Sequence, residues 1–123
     1  MRVAAFALCV IVITLHFAFA AAEMFYWQHP AVMARFGASP EFAKSTAVLA
    51  ANQGVYNAIL AAATLSALLS WNRAMLLVLL TGIIVAGIYG GLTVKPTIML
   101  VQSLPAALAF IAVWFAGARP QSR

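Results

Sequence analysis

Two side chains in a stretch that otherwise reads as hydrocarbon could do chemistry. The segment HFAFAAAE sets His16 and Glu23 seven residues apart, about two turns of α-helix, so both point the same way. A carboxyl group and an imidazole on one face can exchange a proton through water, or exchange hydrogen bonds with a bound molecule. A carboxylate within a membrane span is a functional candidate by default, because lipid offers it no partner. The imidazole has a plainer use too, bonded to a backbone carbonyl. Trp27 follows on the same face. The candidate catalytic residues are therefore Glu23, as acid/base or acceptor, and His16 as its partner. No nucleophile stands beside a base, so no reaction class can be named and catalysis itself stays an open question. Cys9, His16 and Glu23 recur every seven residues, but Cys9 and Glu23 are about 21 Å apart along a helix. They cannot share an ion, and neither a metal nor another cofactor is expected.

The elements that position these residues follow from composition. Of 123 residues, 66% are hydrophobic and only 7% charged, where a soluble domain has about 45–50% and about 25%. Polar surface is too scarce to cover a water-soluble globule, so the chain is an integral membrane protein. Its net charge of +5 comes from scattered residues; a nucleic-acid partner, which needs a basic stripe, is excluded. The lone Cys9 reads as a packing residue.

Four segments reach the ~20 residues that cross a hydrocarbon core as helix: roughly 3–27, 40–70, 74–92 and 96–118. The expected fold is all-α, a single domain of four transmembrane helices in an antiparallel bundle. Pro30 should end the first helix near Gln28 and His29. Ser39-Pro40-Glu41 reads as a helix start, with an N-cap, a proline at the first position and an acid at the positive dipole end. Ser70–Arg73 and the stretch before Pro96 are tight links, while the longer loop after Gln28 should rest Met33 and Phe36 on the interface. Arg2, an apolar run and Ala18-Phe19-Ala20 also fit a cleaved leader, but the run is long for one and carries His16. Arg2, Arg73, Arg119 and Arg123 fall on one side, and Arg35, Lys44 and Lys95 on the other. This four-to-three bias points both termini to the cytoplasm.

In such a bundle the polar residues share one level. Glu23 ends the first helix, Asn52, Gln53, Tyr56 and Asn57 lie early in the second, Tyr89 and Thr93 end the third, and Gln102 and Ser103 open the fourth. All sit in the half on the side of the long loop. Polar groups at this depth should turn inward and meet. The candidate ligand-binding set is Trp27, Asn52, Gln53, Tyr56, Asn57, Tyr89, Thr93 and Gln102, around one cavity centred on Glu23. Pro105 should kink the fourth helix beside Gln102, since its ring clashes with the carbonyl of Val101. Gly82, Ala86 and Gly90 form one small-residue ridge for close packing and Gly87 with Gly91 a second.

The segments ANQGVYNAILAA, GIYGGLT and VQSLPAALA, after a helix with His16, Glu23 and Trp27, resemble the small bacterial membrane family catalogued as domain of unknown function 1304. The resemblance spans essentially the whole chain, and its most specific element is Asn52-Gln53-Gly54 with Tyr56-Asn57. Ser103 departs from the glycine of the family's Gln-Gly-x-Pro-Ala pattern. The resemblance implies four helices in a bacterial inner membrane and no assigned activity.

Three functions compete. One is binding, with or without processing, of a small amphipathic molecule around Glu23. A second is proton-coupled transport by a homodimer, as in small multidrug exporters, against which the acid lies near a helix end. The third is a structural or accessory subunit whose polar residues only fix packing. Membrane lipid is a partner in all three.

Overall fold

The computed structural model describes residues 1–117. Helix α1 (Arg2–Phe25) is followed by a short α2 (Pro30–Phe36), then α3 (Pro40–Leu69) and α4 (Arg73–Thr93). The last helix, α5 (Pro96–Ala116), has a π-helical segment at Met99–Ser103. The described residues are all-α, and α1, α3, α4 and α5 are each long and apolar enough to cross a membrane. The protein is a multi-pass helical membrane protein.

Local chemistry explains the boundaries. Ser39 caps α3 as expected, its Oγ accepting from the Phe42 N–H at 3.2 Å, and Pro40 opens the helix. Asn72 caps α4 through the Met75 N–H at 3.1 Å. Three expectations change. The first helix ends at Phe25, before Trp27, because the His29 N–H turns back onto the Tyr26 carbonyl at 2.9 Å. Pro30 then starts a helix instead of merely stopping one: His29 is extended and its ring nitrogen caps Ala31 at 3.3 Å. Gly37 ends that helix in the left-handed region, φ 68°, a conformation glycine adopts without strain. The fourth helix was expected to reach residue 118. It ends at Ala116, and Ala118, like Arg119 and Arg123 of the charge count, lies outside the described residues.

Contacts divide the chain into two compact units, Thr14–Ala61 and Met1–Ile13 with the chain from Ala62 onward. In the first of these, the end of α1 runs antiparallel to the beginning of α3: Ala20, Glu23 and Met24 meet Gly54, and Trp27 meets Thr46. In the other, α4 and α5 are antiparallel, with Gly87 against Ser103 and Gly91 against Met99. Arg73 at the start of α4 donates to the carbonyls of Val113 and Trp114 at the end of α5, at 3.4 and 2.9 Å. That satisfies acceptors a helix C-terminus leaves open.

Each packed face is a row of small or apolar residues at steps of three and four. On α1 it is Ala5, Cys9, Val12, His16 and Ala20. On α4 it is Leu76, Leu80, Ile83, Gly87 and Gly91. So the second glycine ridge makes close contact at both its glycines, and of the first ridge only Gly90 does, a Cβ there lying 3.1 Å from Ile98 Cγ2; Gly82 has nothing within 4 Å of where a Cβ would stand, and Ala86 is exposed.

The expected break near Gln102 takes the form of the π-helical segment. The Leu104 N–H reaches back five residues to the Met99 carbonyl. The wider turn suits a chain in which Pro105 has no N–H to give to Val101 and cannot tolerate that carbonyl close by.

Candidate functional site

Ten residues are candidates from the sequence, and the structure divides them. His16, Glu23, Trp27, Asn52, Gln53, Tyr56 and Asn57 belong to the Thr14–Ala61 unit, while Tyr89, Thr93 and Gln102 belong to the other.

In the Thr14–Ala61 unit one pair is joined directly. Asn57 Nδ2 donates to Glu23 Oε2 at 2.7 Å. Asn57 is 8% exposed and Glu23 is half-buried. The approach is permitted by Gly54, three residues before Asn57: a Cβ there would lie 2.5 Å from Met24 Cγ, 2.9 Å from the Ala20 carbonyl oxygen and 3.2 Å from Glu23 Cβ. The buried row on α3, Ala43, Ala50, Gly54, Asn57 and Ala61, shows how the pair forms. Its steps of seven, four, three and four residues bring Asn57 round to α1. Gln53 falls on the edge of that row, and Asn52 and Tyr56 fall beyond it, since each residue turns about 100°. All three are exposed. The inward turn expected of the helix amides is thus made by Asn57 alone among them.

The remaining members of this unit are placed differently from the expected cluster. His16 is buried, and its ring meets Phe19 edge-on with centroids 5.5 Å apart. It stays on the Glu23 side of α1, about 10 Å away along the axis, while the partner of Glu23 is Asn57. Trp27, just past the helix end, donates from Nε1 to Thr46 Oγ1 at 3.1 Å and packs on Phe36 with ring centroids at 5.2 Å. Thr46 also donates to the Phe42 carbonyl at 2.7 Å. It was not foreseen, because a threonine bonded to the turn below it leaves no mark in a sequence. Phe36, expected on the interface, is held by Trp27.

In the other unit Tyr89 is 69% exposed. Thr93, also exposed, donates its hydroxyl to the Tyr89 carbonyl at 2.8 Å within its own helix. Gln102 is half-buried at the α4 contact, its Cβ 3.1 Å from where a Gly87 Cβ would be. Ser103, buried, donates to the Ile84 carbonyl at 2.9 Å. Two grooves in this unit, one edged by Trp71 and Arg2 and one by Thr81 and Phe110, touch none of the ten candidates.

The chemical content of the arrangement is therefore concentrated at one carboxyl group. Among the described residues its only hydrogen bond comes from Asn57. A carboxylate has about four acceptor positions across its two oxygens, so the group retains capacity for a second donor. Residues 10–114, which contain all ten candidates, match the family model described as Protein of unknown function (DUF1304). The chain belongs to that family. No curated protein and no solved structure matches the chain. Membership brings no residue roles, so the reading of the site rests on its geometry.

Proposed function

We propose that this protein binds a small amphipathic molecule at the Glu23–Asn57 pair, with Glu23 receiving a hydrogen bond from the molecule's polar head. The observation that supports the reading is the 2.7 Å bond from Asn57 to Glu23. It fixes one carboxylate oxygen and orients the group without using up its acceptors. A purely structural polar contact between membrane helices needs only amides or hydroxyls, which carry no charge to desolvate. His16, on the same helix face, tunes the site, and Trp27, Asn52, Gln53 and Tyr56 of the same unit contribute around it. Tyr89, Thr93 and Gln102, expected in the same set from their depth, belong to the other unit. We place the protein in a bacterial inner membrane with both termini cytoplasmic.

Two experiments test this. Wild-type protein and Glu23→Gln are purified from the same cells, and the small molecules that accompany each are compared by mass spectrometry. Glu23→Gln keeps the shape and should fold, while losing an amphipathic species that wild type carries. Identical profiles, with Glu23→Leu destroying expression, would make Glu23 a packing group only. Reporter fusions at Arg123 address the transporter reading. One orientation, C-terminus inside, is expected; two equal orientations would favour a dual-topology exporter acting as a dimer.

A further inference from the structure

Helix α3 carries two rows of residues at the same spacing, with steps alternating between four and three. One row is buried: Ala50, Gly54, Asn57, Ala61, Thr64 and Leu68. The other runs Val48, Asn52, Val55, Ile59, Ala62 and Ser66, and all six are exposed. The rows are offset by two residues, about 200°, so they lie on opposite faces of the helix. A mean step of 3.5 residues keeps one face of a helix against another helix over several turns.

Such a row alone does not mark an interface, for Met75, Val78, Gly82, Val85 and Tyr89 make an exposed one on α4. Asn52 sets α3 apart. Exposed hydroxyls on α4 are satisfied within their own helix: Thr81 donates to the Leu77 carbonyl and Thr93 to that of Tyr89, each at 2.8 Å. Among the described residues no hydrogen bond reaches the Asn52 amide. It stands two residues before Gly54, which packs on Ala20 of the apolar α1, so it lies within the span. An amide facing lipid there has donors and an acceptor with no water to receive them.

We propose that the exposed row of α3 binds a second copy of this chain, in the same orientation, with Asn52 against the partner's Asn52. A primary amide carries donor and acceptor together, so two related by a two-fold axis complete each other. A lipid tail offers neither group. A second copy supplies the matching amide at the right depth by symmetry alone, provided the axis runs along the membrane normal. An inverted copy would carry its amide to the other half of the membrane. Val48 and Val55, one turn to either side, would shield the pair from lipid, and a lone asparagine in such a row fixes the register of the two helices. The inference does not depend on a ligand at Glu23, since Asn57, which holds that carboxyl group, belongs to the buried row.

The test uses the full-length chain with Cys9→Ala, so that an added cysteine is the only one. Val48→Cys, Val55→Cys and Ile59→Cys, oxidised with copper phenanthroline in native membranes, should each give a covalent dimer. Val78→Cys, also exposed but on α4, should stay monomeric. In detergent, sedimentation equilibrium should show a monomer–dimer equilibrium that Asn52→Leu weakens by about tenfold. That factor corresponds to about 1.4 kcal/mol, in the range for hydrogen bonds between membrane helices. Cross-linking at Val48 and Val55 no greater than at Val78, cross-linking at the mid-span Ile59 alone, as inverted copies would give, or association indifferent to Asn52→Leu would each overturn the proposal.

Discussion

Where α3 meets α1 and where α5 meets α4, the same device brings two helices together: a glycine at a place with no room for a Cβ. At Gly54 the obstacles are Met24 and the Ala20 carbonyl; at Gly87 they are the Ser103 hydroxyl and backbone nitrogen, and at Gly91 they are Met99 atoms. What crosses each contact differs. The Ser103 hydroxyl donates to Ile84, a backbone carbonyl, so the polar group is absorbed by the scaffold. At the other contact Asn57 donates to the Glu23 side chain, and the acceptor it reaches still has capacity for others. The sterics alone would make both contacts packing seams. The identity of the acceptor separates a seam from a candidate site.

Substitutions at these glycines and at Ser103 test the contrast. The largest effect is expected for Gly87→Ala, because the new Cβ meets Ser103 backbone nitrogen at 3.0 Å as well as its hydroxyl. The loss should approach about 3 kcal/mol, the upper range for overpacking. Gly82→Ala, with open space around it, should instead gain up to about 1 kcal/mol from helix propensity. Similar melting temperatures for the two would refute the assignment of the packed ridge. Adding Ser103→Gly to Gly87→Ala should recover part of the loss, measurable as a coupling energy in a double-mutant cycle.

Gly54→Ala comes next, at about 2 kcal/mol. The flexible Met24 can move away, but the Ala20 carbonyl oxygen 2.9 Å from the new Cβ cannot. The same change should push Asn57 off Glu23, so it should also deplete the small molecules that accompany wild type. Ser103→Ala is the smallest. It removes a hydroxyl whose acceptor is a helix carbonyl, so the cost should stay at about 1 kcal/mol or less, with those small molecules unchanged. A loss of them in Ser103→Ala would erase the distinction drawn between the two contacts.

Much of the fold was legible because punctuation is local chemistry. Ser39-Pro40 and Pro96 mark helix starts that the structure reproduces. Pro30 was read only as a stop, since histidine is an uncommon cap and nothing in the sequence announced that His29 would be one. Pairing within one unit was legible too, for chain order sets which residues of two antiparallel helices face each other, as Asn57 faces Glu23. Rotation was not. A membrane helix can be apolar all round, because lipid is as apolar as the protein interior, so no amphipathic stripe marks the inner face. The available signal was size: Ala43, Ala50, Gly54 and Ala61 on α3 form a row of small residues that includes Asn57 and leaves Gln53 at its edge. Tyr56 and Tyr89, chosen by depth, are exposed because depth fixes height and not direction.

The π-helical segment at Met99–Ser103 also bears on how this chain can change over time. A π-turn holds one more residue than the α-turn it replaces. Everything after it, including the buried Ala106, Ala109, Ala112 and Val113, owes its orientation to that extra unit. Loss of a single residue between Met99 and Ser103 would let the helix close normally with those side chains facing as before, whereas closing the π-turn without losing a residue would swing them by about 100°. The carbonyls of Val113 and Trp114, which receive Arg73, would turn with them. This helix should therefore accept the loss of one residue inside the π-turn and scarcely any change in number beyond it.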